Sequence, residues 1–356
     1  MEYFAGLDVS IEETAICVVG DDGKVVLETE VPTEPQLIAE ALERFAGRLR
    51  RVGHEAGSVS PWLHAGLIEL GLPAVCLETR HVRAALSAQR NKTDKNDARG
   101  LAQLVRSGWF KQVHAKSERA NRMKLLLAHR RTLKRKLLDI ENEVRQSLKM
   151  FGLMVGPRVQ RSTFCNRVRE LVAGDPLLQV LSESMLTCWQ VLWDQYRELH
   201  KMLVQLVGQE ELCRRWCEIP GVGPVTAMTF MAAVDDPHRF AKSKTLGAHF
   251  GLTPKREQSG TSVDRDGHIS RRGDGEVRTA LYEAASGMLT RSKQHSTLKA
   301  WGMKIATKRG HKRAVVAVAR KLAVIMHRMW IDGSRFRFSA ANDQPESSGN
   351  AVAVQA

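Results

Sequence analysis

Several features common in proteins are missing from this 356-residue sequence, and each absence narrows the reading. No stretch approaches the roughly 18 uninterrupted apolar residues of a membrane-spanning helix. The amino terminus, Met1-Glu2-Tyr3-Phe4, lacks the basic-then-apolar layout of a secretory leader. The six cysteines include no Cys-x-x-Cys pair, which argues against a disulfide framework and a zinc ribbon and predicts a reducing, cytoplasmic setting. Cys213 and Cys217 stand one helical turn apart, with no further Cys or His pair to complete a metal set. No Gly-x-x-x-x-Gly-Lys-Ser/Thr loop is present, so ATP-driven chemistry is not expected. No internal repeat is visible, and basic residues are scarce at the start: residues 1–79 hold 5 against 14 acidic ones.

What is there is a globular composition, 43% hydrophobic and 26% charged, over a length that suits two or three domains. The net charge is +15; because residues 1–79 carry −9, the remaining 277 carry +24. Residues 111–136 alone hold ten Lys and Arg against Glu118. Such a surface attracts polyanions, since neutralising phosphates releases their counterions. A membrane surface fits less well, because the basic helices carry few Trp and Phe anchors.

Along residues 1–110 the pattern predicts three strands, a helix at 36–49, a short strand before Glu55, a helix from Ser60, a buried strand at 74–77 and helices at 80–88 and 94–106. That is an α/β domain with an antiparallel start and a parallel continuation. Long helices are expected at 117–148 and 176–208, joined by a loop rich in Gly and Pro and forming an antiparallel pair or coiled coil. The expected division is a domain at 1–112, a helical coiled-coil linker at 113–210, a mainly helical domain at 211–335 and a disordered tail at 336–356.

Asp8 ends the first strand and Glu55 follows the fourth, while Asp94 and Asp97 are spaced i, i+3 and so share a helix face. If that helix packs on the sheet, four carboxylates converge and repel one another unless cations intervene. Hard oxygen ligands in that number suit Mg²⁺, with Mn²⁺ as a substitute, and two such ions orient a nucleophile and a leaving oxygen. Taken singly, each acid reads as structural: Asp8 as a turn cap, Glu55 as a loop acid, Asp94 as a helix N-cap.

In the second half, Pro220-Gly221-Val222-Gly223-Pro224 opens a helix, and its glycines let backbone N–H groups approach a phosphate, as in a helix-hairpin-helix grip; a tight interhelical turn is the other reading. Farther on, Ser259 lies among Lys255, Arg256, Arg271 and Arg272, ahead of Arg278. Positive charge of this kind stabilises a phosphorane, but spacing alone makes Ser259 a loop serine.

The acids, the run Lys92-Thr93-Asp94-x-x-Asp97-Ala98-Arg99 and Gly251-Leu252-Thr253-Pro254 with Ser259-Gly260 resemble the DEDD-type insertion-sequence transposases, relatives of the Piv pilin-gene invertase and bridge-RNA-guided recombinases. The resemblance spans roughly residues 3–330. It implies a RuvC-like RNase H fold with Asp8, Glu55, Asp94 and Asp97 as Mg²⁺ ligands, and a transposase domain whose Ser259 becomes joined to DNA. It also implies donor and target DNA as substrates, a noncoding bridge RNA as guide and a homo-oligomer, dimeric or tetrameric in the synaptic complex. The implied location is the bacterial cytoplasm, at the nucleoid when bound. Two departures stand out: the segment before Glu55 begins Leu49-Arg50-Arg51, basic for a central strand, and Gly273-Asp274 replaces a common Gly-Asn. The rival expectations are a metal-only nuclease or junction resolvase with Ser259 a bystander, and a non-catalytic nucleic-acid-binding protein.

Overall fold

The computed structural model describes residues 1–87, 91–259 and 263–339, with backbone alone for 256–259 and 263–266. The chain divides into two compact units, Met1–Glu118 and Arg119–Ala356.

The first unit runs β1 (Tyr3–Val9), β2 (Glu13–Gly20), β3 (Val25–Pro32), α1 (Pro35–Leu42), β4 (Leu49–Glu55), α2 (Ser60–Glu69), β5 (Ala74–Leu77), α3 (Thr79–Leu86) and α4 (Asp94–Ser107). The sheet order is β3-β2-β1-β4-β5, with β1 to β3 antiparallel and β1, β4 and β5 parallel. This is the mixed sheet, antiparallel at its start and parallel in its continuation, that the sequence pattern predicts. One face buries Leu7, Ile16, Val18 and Val52 with Ile38, Leu42, Leu63 and Leu67 of α1 and α2. The other buries Ala15, Cys17 and Leu77 with Ala98, Ala102 and Val105 of α4. The basic start of β4 is accommodated at its edge: Arg51 donates to the Val105 carbonyl at 3.0 Å and covers the Phe110 ring, and Arg50 pairs with Glu2. A register shift between Tyr3 and Phe4 falls at the same level.

The second unit contains α5 (Glu118–Lys149, its first residue in the other unit), α6 (Arg161–Val172), α7 (Pro176–Gln209), α8 (Glu211–Cys217), α9 (Pro224–Val234), α10 (Leu246–His249), a hairpin of β6 (Pro254–Ser259) and β7 (Val263–Ile269), α11 (Gly275–Thr290), α12 (Thr297–Arg309) and α13 (His311–Asp332). Helices α5 and α7 run antiparallel: Arg119 pairs with Glu210, Arg130 reaches Tyr196 and His200, and Trp189 donates to Glu141. Helix α6 falls where a loop is expected, and its Phe164, Cys165, Val168 and Val172 close the far end of that hairpin against Leu137, Val144 and Trp189. The remaining helices surround α13, whose Ala314, Val315, Val318, Leu322 and Met326 are fully buried. Phe336 is buried and meets Phe338 edge-on, so the packed chain continues into residues assigned above to a disordered tail; residues 340–356 lie outside the described ones. Among the described residues no helix is long and apolar enough to cross a membrane.

Candidate active site

The first unit brings its acids together through two glycines. Leu7 of β1 pairs in parallel register with His54 of β4, so the next residues, Asp8 and Glu55, lie side by side at the strands' carboxyl ends. Side chains alternate across a sheet, so Gly6 and Gly53 share the face of Asp8 and Glu55, two residues earlier. A Cβ at Gly6 would stand 2.2 Å from the backbone of Ala98 and Ala102, and one at Gly53 would stand 2.3 Å from Val105 Cγ1. Only glycine lets α4 lie this close to the strands. The first turn of α4 is thereby laid over the acids. Thr93 caps the helix, accepting from the Asn96 N–H, which puts Asp94 in the first turn rather than at the N-cap.

Asp8, Glu55 and Asp97 line one cleft of about 480 Å³, together with Thr79, Arg83, Ser87 and Lys92. Asp94 is not on its lining but is close enough to act on Asp8. Burial first, then Asp97, Asp94 and Glu55, push the Asp8 carboxyl up to about 6, against a smaller opposing pull from Lys92. Lys92 stands 3.8 Å from Asp97. The backbone of Glu55 is pinned: its carbonyl accepts from Ser60 Oγ at 2.8 Å, and Ser60 Oγ accepts from the Gly57 N–H at 2.6 Å. Beneath it, buried His54 meets His64 at 3.0 Å, and burial pushes the His54 imidazole down to about 4.

Among the described residues, no three acid, His or Cys side chains stand close enough to hold an ion between them. The donor set nevertheless fits a hard divalent cation. Its acidic members offer carboxylate oxygens, and such an ion would offset both the burial of the Asp8 charge and the repulsion from Asp97, Asp94 and Glu55 that together raise it.

The carboxy-terminal candidates belong to the second unit. Ser259 is the last residue of β6 and pairs with Val263, so it belongs to a strand end rather than a loop; its side chain and that of Arg256 are outside the described ones. Lys255, Arg271 and Arg272 are exposed. Arg278 is engaged internally, donating to the carbonyls of Phe250 at 2.9 Å and Arg272 at 3.2 Å, and so ties α11 to the base of the hairpin. Asp274 caps α11 by accepting from the N–H groups of Glu276 and Val277. An Asp serves there as well as an Asn, which explains that departure. The two glycines of the 220–224 turn differ. Gly221 has φ +87 and packs on α11, where a Cβ would meet the Ala284 carbonyl oxygen at 2.2 Å. Gly223, at the N-cap of α9, has nothing within 4 Å of that position.

Sequence reasoning missed Arg83 and Thr79 on the cleft wall. It also missed the repeated signal that builds the cleft, Gly6-x-Asp8 and Gly53-x-Glu55 on neighbouring strands.

A family model described as Transposase, of the DEDD IS110 type, matches residues 5–152, and one described as Transposase IS116/IS110/IS902 family matches residues 213–300. The two matches fall in different parts of the chain, the DEDD type over the first unit and α5 and the other over residues from α8 to the start of α12. Similarity to individual transposases extends over most of the chain. The transposase for insertion sequence element IS1111A of Coxiella burnetii is 27% identical over 331 residues, 90% of this chain and 87% of that protein. The transposase for insertion sequence element IS1328 of Yersinia enterocolitica is 26% identical over 273 residues, 75% of this chain and 80% of that one. The pilin gene-inverting protein of Moraxella bovis matches over 110 residues at 28%, 31% of this chain and 34% of its own length. Among solved structures, Thermus thermophilus RuvC in complex with Holliday junction substrate aligns at a TM-score of 0.26 with 18% identity, over 32% of this chain and 100% of that chain.

Proposed function

We propose that the protein is a metal-dependent DNA transposase that cuts and rejoins strands through a covalent serine intermediate. The observation that carries the reading is the one cleft that Asp8, Glu55 and Asp97 line, with Asp94 near enough to act on Asp8. Asp8, Glu55, Asp94 and Asp97 would hold Mg²⁺ or Mn²⁺. When bound, such ions offset phosphate charge and polarise the scissile linkage. The chain's own residues do the rest. Arg83 and Lys92 sit on the cleft wall to meet phosphate oxygens. Ser259 Oγ forms a bond to phosphorus as the bond to a deoxyribose oxygen breaks; the serine proton is lost and the departing oxygen gains one. Reversal by another strand's hydroxyl regenerates Ser259, so the phosphodiester energy is conserved and no nucleotide cofactor is needed.

The domain division is carried over from the sequence pattern, and the noncoding guide RNA, the donor and target DNA partners and a site shared between subunits from the family resemblance. A surplus of +24 beyond residue 79 supports a polyanionic partner. A multimer is supported by α7, where Leu177, Leu181 and Val191 are 66%, 55% and 59% exposed, with Ser184 and exposed Cys188 between them at heptad spacing.

The test is a denaturing gel with DNA from the flanks of the gene. A protease-sensitive protein–DNA adduct is expected, absent in Ser259→Ala and in Asp97→Asn. Normal cleavage by Ser259→Ala, with Asp97→Asn inactive, replaces this reading by the metal-only nuclease.

A further inference from the structure

Between Glu283 and Asp332 the chain has 48 residues without a single acid, yet it holds eleven Lys and Arg. They fall on α11's end, α12 and α13. Helix α12 ends at Arg309, Gly310 makes the whole connection with φ +83, and α13 begins at His311. Five of the cations crowd this corner: Lys304, Lys308 and Arg309 before the turn, Lys312 and Arg313 after it. All five are exposed, and among the described residues none makes an ion pair or a hydrogen bond through its side chain.

That arrangement works against the fold. Lys304 and Lys308 are an i, i+4 like-charge pair on one helix face. Lys312 and Arg313 stand in the first turn of α13, the positive end of its dipole, where cations are disfavoured. Neither cost is offset by a neighbour. A shallow hollow of about 390 Å³ opens beside them, lined by Trp301, Lys304, Ile305, Thr307, Lys308 and Arg309. Its lone aromatic, Trp301, is half-buried and already faces Lys321 at 5.7 Å. Beside it the corner exposes the imidazole of His311, but the described residues there hold no run of aromatic rings on which successive unpaired bases could stack.

We infer that the α12–α13 corner is a second nucleic-acid contact, gripping the phosphate backbone of double-stranded DNA through Lys304, Lys308, Arg309, Lys312 and Arg313. Clustered cations without a run of stacking rings suit a duplex backbone better than a single strand, and such contacts position a substrate without reading its sequence. The choice of DNA rests on the transposase reading.

The experiment is fluorescence anisotropy with a labelled 30-base-pair mixed-sequence duplex across a salt series, in EDTA so that no cleavage is required. A failed transposase reading would not affect this measurement. Replacing all five cations by Gln is expected to lower duplex affinity by about 30-fold or more at low salt. It should also make the log–log salt slope shallower by about 3 to 4, with the melting temperature equal or higher. The milder Lys308→Gln/Lys312→Gln pair should flatten the slope by about 1 to 2. In the unaltered protein, duplex DNA should shield Lys304, Lys308 and Lys312 from amine acylation. Unchanged slope and no shielding overturn the inference. So does a loss confined to a stem-loop RNA probe with duplex DNA binding intact, which would make RNA the occupant.

Discussion

The molecule crowds like charges in two places of opposite sign. In the first unit, three carboxylates face one cleft, with a fourth close enough to act on Asp8. In the second, five cations crowd the α12–α13 corner with no acid within the surrounding 48 residues. Helix α5 is the instructive contrast. It lies in the most basic stretch of the sequence, yet four of its cations are used internally: Lys124 pairs with Asp274, Arg131 with Glu276, Arg119 with Glu210, and Arg130 covers Tyr196, while Lys134 and Arg135 stay exposed. Charge density alone therefore does not mark a binding surface. What marks one is charge that the fold leaves uncompensated, because a ligand of opposite sign is then needed to relieve it.

The sharpest way to break that comparison is at Asp8. Asp8→Asn removes one member of the crowded set without changing its shape. Strand cleavage should fall by about 100-fold to 1,000-fold. The metal-free fold should instead gain stability at neutral pH, because a carboxyl pushed up to about 6 in the folded protein is disfavoured when charged. Discounted for solvent screening, the gain is about 1–2 kcal/mol. Added Mg²⁺ should raise the melting temperature of the unaltered protein more than that of the variant. Loss of stability together with activity would make Asp8 a structural residue, and the cleft would no longer be a place where repulsion awaits a cation.

The amino-terminal order of strands and helices was legible because most strands alternate or run apolar, β4 with its Arg50-Arg51 excepted, and several helices have a clear start, such as Pro35 or Ser60-Pro61. The acids were legible as a set, but the means of assembling them was not. Gly6 and Gly53 matter only once β1 and β4 are known to be neighbours, and neighbourhood is a tertiary fact. Helix α6 was obscured by Gly152, Gly156 and Pro157 just before it, although Phe164, Cys165, Val168 and Val172 repeat at helical spacing. The β6–β7 hairpin was hidden for the opposite reason: Lys255-Arg256-Glu257-Gln258-Ser259 has no apolar alternation to announce a strand. Pairing of α5's cations was invisible too, since Asp274 and Glu276 lie some 150 residues away in sequence.

The 220–224 turn offers a smaller contrast between a residue used by the fold and one left for a ligand. Gly221→Ala forces a Cβ against the Ala284 carbonyl at a positive φ, and should cost about 3 kcal/mol in thermal or urea unfolding. Gly223→Ala meets open space and should cost under about 1 kcal/mol. A substitution that affects DNA binding more than stability is therefore expected at Gly223 alone. Gly223→Glu, which sets an acid beside the first N–H groups of α9, should weaken duplex binding with little change in melting. Equal stability losses at the two positions would remove the distinction.

The smallest expected effect falls on α5 and sets the baseline for the comparison. Lys124 reaches Asp274 at 3.5 Å, with the lysine side chain 43% exposed, and Arg131 pairs with Glu276 at a similarly open surface. Such pairs contribute about 0–1 kcal/mol each. Lys124→Gln/Arg131→Gln should lower stability by no more than about 2 kcal/mol, since Asp274 keeps its two N–H donors and still caps α11. Its salt slope for duplex DNA should match that of the unaltered protein. The comparison is with Lys308→Gln/Lys312→Gln, which removes the same number of positive charges from a corner that has no acid to lose. Should the α5 pair flatten the slope as much, net charge would govern DNA binding wherever it sits, and internal pairing would cease to separate the two regions.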